Sequence, residues 1–434
     1  MRLNYTFPNI PHLKDFSFEV ENINDKLRTT VRGGWGFKAL LSGPFLKLYF
    51  AYFNRNDVKP VMLRQDGNIY SLYVPPIPSQ AHVHHMETVL RNWLFKETRP
   101  LAVTLAVTSR CQLNCVHCSA ASAGPVGSDL SREEIGRIIR ESVDLGVTNI
   151  TFTGGEPLLR KDLEEMVSDV SEEEAVALVF TNALALDERR AASLKEAGLT
   201  AVFISLDSPD PEEHDRLRGR SGLFQTVREG VRNAIRAGLA VCLSTYATNE
   251  SVRDKKLSKL TALAAEWGVH EISVFDVIPT GQLIQNEEFL LTAESHRAIC
   301  KEAKELNRRY AGRLRIVTQS WTNTRNGMAI LIGCLAGHLQ FHITPDGEFT
   351  PCDFTPLSFG NVRSESIENL WRKVIEHSAY KRHCTKCRMQ TASFREKYIR
   401  PIPVNANLPY SIATIDGLFD CRNQTMKNTG NQTS

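Results

Sequence analysis

The sequence lacks the features that would place the chain in a membrane. Its 434 residues contain no run of the roughly 18 uncharged apolar residues that a transmembrane helix needs. The richest apolar run, 37–53, carries two lysines and a Gly-Pro pair. This run favours a buried core helix broken at that pair over a helix lying on a membrane surface. The first 15 residues include prolines and charges instead of the apolar core of a signal peptide.

An excess of charge of one sign is also missing. Lys and Arg total 52 and Asp and Glu total 49, so the formal net charge is +3. A protein that binds nucleic acid through a dominant basic face would show a larger imbalance. The hydrophobic share of 42% is ordinary for a globular protein and excludes wholesale disorder. We therefore expect a soluble, cytoplasmic protein of about two or three domains, with no transmembrane segment and no nucleic-acid partner.

Residues 1–100 are predicted to form a small α+β module of unknown role. Two strand-like runs, 61–65 and 69–74, flank Asp66-Gly67-Asn68, which is typical of a hairpin turn. Ser79 is placed to cap a helix that runs to about Lys96. Three histidines of this helix favour a solvated surface over a metal site: His82, His84 and His85.

Residues 101–325 alternate between strand-like and helical patterns. The predicted strands cover 101–108, 149–153, 175–181, 201–206, 241–245 and 271–277. The predicted helices begin at Ser131 and cover about 160–172, 187–197, 224–237 and 254–267. Ser131 and Glu134 have the spacing of a capping box. Six such repeats predict a parallel sheet, either open and doubly wound or curved into a partial barrel.

The pattern changes again in the last hundred residues. Residues 340–344 and 348–350 flank Pro345-Asp346-Gly347, which predicts a second hairpin. A short helix is predicted over 367–377, and the polar tail 425–434 is predicted to be disordered.

Ten cysteines are present, and seven of them fall into two groups. In a cytosolic chain, cysteines suggest metal or redox ligands before disulfides. Cys111, Cys115 and Cys118 directly follow the first predicted strand. Three thiolates can hold three irons of a [4Fe–4S] cube and leave the fourth iron open, whereas a structural zinc site needs four ligands. Cys242 and Cys300, in a strand and a helix, are predicted to be small buried hydrophobic residues.

The loop Cys111-x3-Cys115-x2-Cys118 resembles the CxxxCxΦC hallmark of the radical S-adenosylmethionine (SAM) superfamily, with His117 at the Φ position. Later loops resemble the superfamily's SAM-binding motifs in the same order. The resemblance implies that Gly154-Gly155-Glu156-Pro157 binds the SAM amino group, with Glu156 supplying negative charge. It implies five further cofactor contacts: His117, Asn182, Ser205, Arg218 and Ile278.

Alternatives remain open for three of these contacts. Asn182 suits a polar turn, Arg218 suits a surface ion pair, and Ile278 suits an ordinary turn before Pro279 and Gly281. The matching loops all follow predicted strands, where parallel β/α folds place their chemistry. The resemblance therefore implies that residues 101–325 form a partial (β/α)6 barrel of the TIM-like type, the radical SAM core.

The second cysteine group lies beyond this core and comprises Cys334, Cys352, Cys384 and Cys387. It resembles the C-terminal auxiliary domain called SPASM, or its shortened form called twitch. No cysteine occurs five or nine residues after Cys387, which favours twitch over 326–395, followed by a tail over 396–434. The resemblance implies one auxiliary [4Fe–4S] cluster held by the four thiols. A four-cysteine zinc site and replacement of one ligand by Cys421 remain open.

The resemblance implies an enzyme that reductively cleaves SAM to a 5′-deoxyadenosyl radical, which then abstracts hydrogen from a substrate. A flavodoxin- or ferredoxin-type protein would donate the electron, and no side chain is assigned as catalytic. We hypothesise oxidative modification or crosslinking of a peptide, recruited by strand addition at the N-terminal hairpin. Two alternatives remain: oxidation of a small molecule or tetrapyrrole in cofactor or antibiotic biosynthesis, and a non-catalytic iron–sulfur or zinc redox sensor.

Overall fold

The computed structural model describes residues 1–10, 13–23, 26–32, 37–55, 58–120, 128–320 and 333–418. Within these ranges the chain forms a three-stranded sheet near the N-terminus, a nine-stranded sheet and a short two-stranded pairing. Among the same residues, no helix combines the length and the apolar character that crossing a bilayer requires.

The N-terminal region packs two helices with an antiparallel sheet. Its elements are β1 (Arg2–Thr6), β2 (Ser17–Ile23), β3 (Lys26–Arg32), α1 (Phe37–Phe53) and α2 (Gln80–Leu94). β2 lies between β1 and β3. Tyr5, Phe18, Phe50 and Met86 share one buried core. Ser79 caps α2 as predicted, because its hydroxyl accepts a hydrogen bond from the His82 amide at 3.1 Å.

The hairpin predicted at residues 61–74 forms only in part. An antiparallel bridge joins Met62 to Ile69, but no regular strand forms in this segment. Ile69 and Leu72 are instead buried against inward-facing side chains of the nine-stranded sheet. Pro75 and Pro76 follow and lack the N–H groups that a longer ladder would need. The turn therefore forms, but tertiary packing of its flanks replaces further strand pairing, and the regular N-terminal sheet lies earlier in the chain.

Two predictions about the N-terminal helices are wrong. α1 continues through Pro44 without a break, and the α2 histidines His82 and His85 are buried instead of solvated. The Tyr5 hydroxyl lies 2.8 Å from His82 Nδ1, and His85 Nδ1 lies 3.0 Å from Thr148 Oγ1. α2 thus contacts both the N-terminal core and the nine-stranded sheet, and it buries more of its surface than its apolar stripe alone predicts.

The β/α region forms a parallel sheet whose order follows the chain. Its strands are β4 (Ala102–Ala106), β5 (Asn149–Thr153), β6 (Val176–Thr181), β7 (Leu199–Ser205), β8 (Ala240–Ala247), β9 (Glu271–Asp276) and β10 (Arg315–Thr318). Neighbours pair in parallel from β10 at one edge to β4. The six predicted strands are present, and β10 is a seventh that the sequence analysis missed. The predicted α/β fold with a largely parallel sheet is confirmed, and within the described residues the sheet is not closed.

Helices cover the outer face of this sheet. They are α3 (Arg132–Leu145), α4 (Leu163–Ser168), α5 (Glu188–Glu196), α6 (Pro211–Arg218), α7 (Leu223–Arg236), α8 (Asn249–Arg253), α9 (Lys256–Glu266) and α10 (Ala293–Arg309). The capping box of Ser131 and Glu134 forms at the start of α3. Outward-facing strand residues such as Val103, Val179 and Ile204 are buried in the same core as these helices.

The C-terminal region extends the same sheet. Its elements are β11 (Gln340–Ile343), β12 (Phe349–Thr350), β13 (Leu357–Ser358), α11 (Ile367–Glu376) and β14 (Tyr410–Ser411). β11 and β12 form the second predicted hairpin, and β11 also pairs in parallel with β4. The segment that carries the second cysteine group is therefore joined to the edge of the parallel sheet through β11. Cys421 and the predicted disordered tail lie outside the described residues.

Candidate functional site at the carboxyl ends of the strands

The first cysteine group lies in the loop that follows β4. Cys111 is exposed, Cys118 is half-buried and Cys115 is buried. Backbone hydrogen bonds hold this loop from two sides: the Val116 amide donates to the Leu217 carbonyl at 3.2 Å, and the Gln282 amide donates to the Cys118 carbonyl at 3.1 Å. The cysteine loop is thus tied to the ends of α6 and β9.

Gly154 and Gly155 allow the loop after β5 to lie directly on the chain that leads to Cys111. The Gly155 amide donates to the Thr108 carbonyl at 2.7 Å. A Cβ atom on Gly154 would lie 2.4 Å from the Thr108 carbonyl oxygen, and one on Gly155 would lie 2.2 Å from the Arg110 oxygen. Because real Cβ atoms do not approach so closely, both positions need glycine.

Glu156 is buried, and its carboxylate already has partners within the chain. It accepts hydrogen bonds from the Leu158 amide at 3.1 Å, the Thr181 hydroxyl at 2.7 Å and the Asn182 amide at 2.8 Å. Burial raises the pKa of Glu156 above its ordinary value, against the lowering effect of these donors. In this structure the carboxylate joins the end of β5 to the end of β6, with Pro157 beginning a buried 3-10 turn beside it.

Arg218 forms a buried ion pair, not the surface pair that stood as the alternative. Its Nε lies 2.5 Å from Asp207 Oδ2 and its Nη2 lies 2.8 Å from Asp207 Oδ1. Burial tends to raise the pKa of Asp207, but the charge and hydrogen bonds of Arg218, together with His117 and His214, outweigh it, and the pKa lies below its ordinary value. Arg218 Nη1 is also 3.8 Å from Cys115 Sγ, and Asn182 Nδ2 is 3.9 Å from Cys111 Sγ. Both thiols thus have N–H donors beside them.

His117 lies next to this ion pair. Its Nε2 is 3.4 Å from Asp207 Oδ2, and its ring centroid is 4.2 Å from that of Tyr246. Burial lowers the pKa of His117 to about 4, so the ring is neutral at physiological pH. Its Nδ1 is buried and has no hydrogen-bond partner among the described residues. A buried nitrogen of this kind is available to a bound group.

The remaining predicted SAM contacts lie on the same rim. Ser205 is half-buried at the end of β7, and Ile278 is buried just after β9. Gly281 follows with a φ of +56°, and a Cβ atom there would lie 2.3 Å from the Cys118 carbonyl oxygen. The structure therefore brings all the residues predicted to bind SAM to one end of the sheet, around the cysteine loop.

In the second cysteine group, two contacts join Cys334 to other members of the group. Cys334, Cys352 and Cys387 are buried and Cys384 is half-buried. The Cys334 amide donates to the Cys384 carbonyl at 2.7 Å. A hydrogen bond from the Cys387 thiol, with help from the positive charge of Arg388, lowers the pKa of Cys334 to about 5. Cys242 and Cys300, predicted to be small hydrophobic residues, are indeed buried.

The donor set at both groups fits iron–sulfur ligation. Cysteine thiolates hold such clusters, and hydrogen bonds to sulfur tune them. The first group offers three thiols with Arg218 and Asn182 beside them, and the second offers four thiols with Arg388 beside them. Within the described part of the chain, no three cysteine, histidine or acidic side chains meet as closely as a single metal ion requires.

The concave face of the sheet carries residues that the sequence analysis missed. Near the strand ends, inward-facing side chains such as Thr104, Phe180 and Phe275 are half-buried, while their outward-facing neighbours are buried. Asp353, directly after Cys352, is also half-buried, and desolvation raises its pKa to about 6. The sequence shows that Asp353 follows Cys352, but no local pattern predicted that the Asp353 carboxyl group would lie near the concave face.

Comparison with known families finds two matching models. The model of the radical SAM superfamily matches residues 105–260. The model of an iron–sulfur cluster-binding domain, SPASM, matches residues 334–389. These ranges contain the first and the second cysteine group, respectively.

Curated relatives fall into more than one reaction type. The AdoMet-dependent heme synthase of Methanosarcina barkeri is 26% identical over 336 residues, covering 70% of this chain and 95% of the relative. The PqqA peptide cyclase of Rhizobium meliloti is 27% identical over 309 residues, covering 68% and 81%. The sporulation killing factor maturation protein SkfB of Bacillus subtilis is 27% identical, covering 62% and 64%.

Solved structures share the fold at lower sequence identity. Streptococcus suis SuiB bound to its precursor peptide SuiA superposes with a TM-score of 0.56 at 14% identity, covering 85% of this chain and 87% of SuiB. The same protein bound to S-adenosylmethionine gives a TM-score of 0.54 at 16% identity, with 82% and 87% covered. At these identities the likeness concerns the fold.

Proposed function

We propose that this chain, a radical SAM superfamily enzyme with a C-terminal SPASM domain, oxidatively modifies or crosslinks a side chain of a peptide. The two domains imply [4Fe–4S] clusters and SAM as its cofactors. The observation that carries the proposal is the set of half-buried, inward-facing aromatic residues between the two cysteine groups: Phe180 lies two residues before Asn182, which is beside Cys111, and Phe275 contacts Phe354, two residues beyond Cys352. The peptide-modifying relatives PqqA peptide cyclase and SkfB support the choice of substrate class.

In this proposal Cys111, Cys115 and Cys118 ligate the SAM-binding cluster. When bound, that cluster supplies the electron for reductive cleavage of SAM. Arg218 and Asn182 provide N–H groups to the ligand sulfurs, at 3.8 Å from Cys115 Sγ and 3.9 Å from Cys111 Sγ. These donors stabilise negative charge on the thiolates.

The SAM molecule would be held by the surrounding strand ends. The carbonyls of Gly154 and Gly155 can approach an ammonium group because no side chain intervenes. Glu156 would hold these carbonyls in place and add negative charge nearby. Further contacts would come from the rest of the rim: His117, Pro157, Asn182, Ser205, Arg218 and Ile278.

The four thiols of the SPASM region would ligate one auxiliary cluster: Cys334, Cys352, Cys384 and Cys387. The Cys387 thiol donates a hydrogen bond to Cys334 Sγ, so these two thiols lie side by side. Burial of three of the four would exclude water from the cluster. A flavodoxin- or ferredoxin-type protein remains our proposed electron donor.

The N-terminal sheet offers an edge for the peptide. Within the described residues, β1 and β3 each pair on one side only. β3 carries Lys26, Arg28 and Arg32 and no acidic residue. The Asn54 side chain already binds the Leu27 amide and carbonyl on this edge, both at 2.7 Å. An extended segment could add to the edge beyond Leu27 through backbone hydrogen bonds, which moves our predicted recruitment site from the 61–74 segment to β3.

Mass spectrometry tests this function. Reduced, cluster-loaded enzyme is incubated with SAM and candidate peptides, and the expected product has lost about two mass units, as two hydrogens leave the peptide. A Cys115→Ala variant, which lacks a predicted cluster ligand, serves as the inactive control. Unchanged masses for every peptide, together with turnover of a small molecule, would reject the peptide substrate.

A tetrapyrrole substrate is the second candidate. It is favoured by the heme synthase relatives, of which the one from Methanosarcina barkeri is matched over 95% of its length. A redox sensor without catalysis is separated from both by 5′-deoxyadenosine: an enzyme forms it from SAM and a strong reductant, and a sensor does not.

A further inference from the structure

Five aromatic side chains form a continuous row on the concave face of the sheet. Tyr73 packs edge-on against Phe203 with ring centroids 5.6 Å apart, and Phe203 stacks on Phe180 at 4.5 Å. Phe275 lies 6.2 Å from Phe180 and 5.9 Å from Phe354. These separations are those of favourable aromatic pairs. We call these five residues the aromatic row.

The aromatic row borders accessible space. Phe180, Phe275 and Phe354 are half-buried although they face inward. The residue Tyr73 is 38% exposed, whereas Phe203 beside it is fully buried. The Tyr73 hydroxyl lies 2.5 Å from Ser273 Oγ on an inward-facing position of β9. In barrels whose interior is filled by side chains, such residues are packed on all sides. The row therefore borders accessible space on the inward face of the sheet, and we call this space the cavity.

The cavity lies close to both cysteine groups. Phe180 lies two residues before Asn182, whose side-chain Nδ2 is 3.9 Å from Cys111 Sγ. Phe354 stands two residues after Cys352. A group held against the aromatic row would therefore lie between the two cysteine groups. An exposed apolar surface of this kind, enclosed in a fold, commonly marks a binding site.

We infer that the aromatic row binds a bulky apolar side chain of the peptide substrate, preferably an aromatic one, with Tyr73 as the floor that limits its depth. This inference rests on the proposed peptide function and adds the class of side chain. Aromatic rings suit the row because edge and face contacts with Phe180, Phe275 and Phe354 add to the burial of apolar area.

Because Tyr73 belongs to the N-terminal region, its proposed position as the floor means that this region helps to select the substrate side chain. The segment is anchored below the row: Leu72 is buried, and its amide donates to Glu271 Oε2 at 3.2 Å. Tyr73 is therefore held by the barrel and not only by its own module. Its phenol reaches the level of Phe203, two residues before the end of β7.

Binding of capped amino acids tests the aromatic row without requiring turnover. N-acetyl-phenylalaninamide and N-acetyl-alaninamide are titrated into cluster-loaded enzyme with SAM, and binding is followed by ligand-observed NMR. We expect the phenylalanine probe to bind about tenfold more tightly or better, and Phe354→Ala to lose most of that difference. Trp93→Ala, which removes an aromatic side chain that is 39% exposed in the N-terminal region, should leave it unchanged. Equal binding of both probes, or a Phe354→Ala variant that binds like the wild type, would overturn the inference.

A second variant tests the floor. Tyr73→Ala should deepen the cavity and shift the preference about tenfold from the phenylalanine probe toward N-acetyl-tryptophanamide, whereas Tyr73→Phe should keep the wild-type preference. If Tyr73→Ala has a wild-type melting curve and an unchanged ratio of affinities for the two probes, the assigned floor is contradicted. If the alanine variant does not fold, Tyr73→Leu is used in its place. Selective binding of the phenylalanine probe without any oxidised peptide would contradict the proposed function alone.

Discussion

Replacing Arg218 with methionine should destabilise the fold strongly, because Asp207 would stay buried without its charged partner. The Asp207 side chain is 1% exposed and that of Arg218 is 13% exposed. Removing one partner of a buried pair costs about 3–5 kcal/mol. We expect the lower end, about 3 kcal/mol, because His117 Nε2 remains 3.4 Å from the carboxylate as a neutral donor. This corresponds to roughly a hundredfold change in the unfolding equilibrium.

Urea unfolding followed by fluorescence measures this cost. Arg253→Met is the matched control, since Arg253 is 71% exposed and its contact with Asp254 is an exposed ion pair worth less than about 1 kcal/mol. The double variant Arg218→Met/Asp207→Asn should lose less stability than the sum of the losses in the single variants, because no unpaired charge remains.

Because the folded-state pKa of Asp207 is depressed, the stabilisation is present above its ordinary pKa and disappears as the pH falls through the folded value. Additive losses, or an Arg218→Met variant as stable as the control, would refute this account of the ion pair.

Three further predictions concern the support of the site. Gly155→Ala should lower the iron content of purified protein, because its Cβ would lie 2.2 Å from a carbonyl of the cysteine loop, whereas Gly417→Ala, with nothing within 4 Å, should not; equal iron in both would contradict the close approach. Arg395→Met should weaken SAM binding measured by calorimetry more than Arg400→Met, because buried Arg395 donates to the Pro279 and Ile284 carbonyls at 3.0 and 2.9 Å and so holds the loop behind the cysteines; equal affinities would contradict that role. Burial raises the pKa of Glu271 from 4.5 to about 7. The wild type should therefore lose up to roughly 3 kcal/mol of stability as the pH rises from the lower to the higher of these values. Urea midpoints of Glu271→Gln that fell just as steeply over this range would contradict the prediction.

The sequence predicted the parallel sheet well because its strands are buried and separated by helices with clear ends. The start of α3 was predictable from Ser131 and Glu134, and the six strands were predictable from their apolar runs, because each of these signals is local in the sequence. The candidate site was predictable for the same reason: its motifs follow strands, and parallel strands end at one edge. The topology then brings Cys111, Gly154 and Asn182 together.

The remaining features depend on contacts between distant segments. Nothing local in the helix α2 indicated that His82 would meet Tyr5, or that residues 69–73 would enter the sheet's concave face. The role of Glu156 in joining two strand ends likewise requires Thr181 and Asn182 to be close in space. The short strand β10 was missed because its four residues show little of the apolar pattern that identified the others.

Iron and sulfide content of the reconstituted protein tests the central claim most directly. The account predicts about eight irons per chain in the wild type and about four in a variant with Cys111, Cys115 and Cys118 replaced by alanine, since two four-iron clusters would become one. Equal iron in the two proteins, or zinc in place of iron at the first cysteine group, would contradict it.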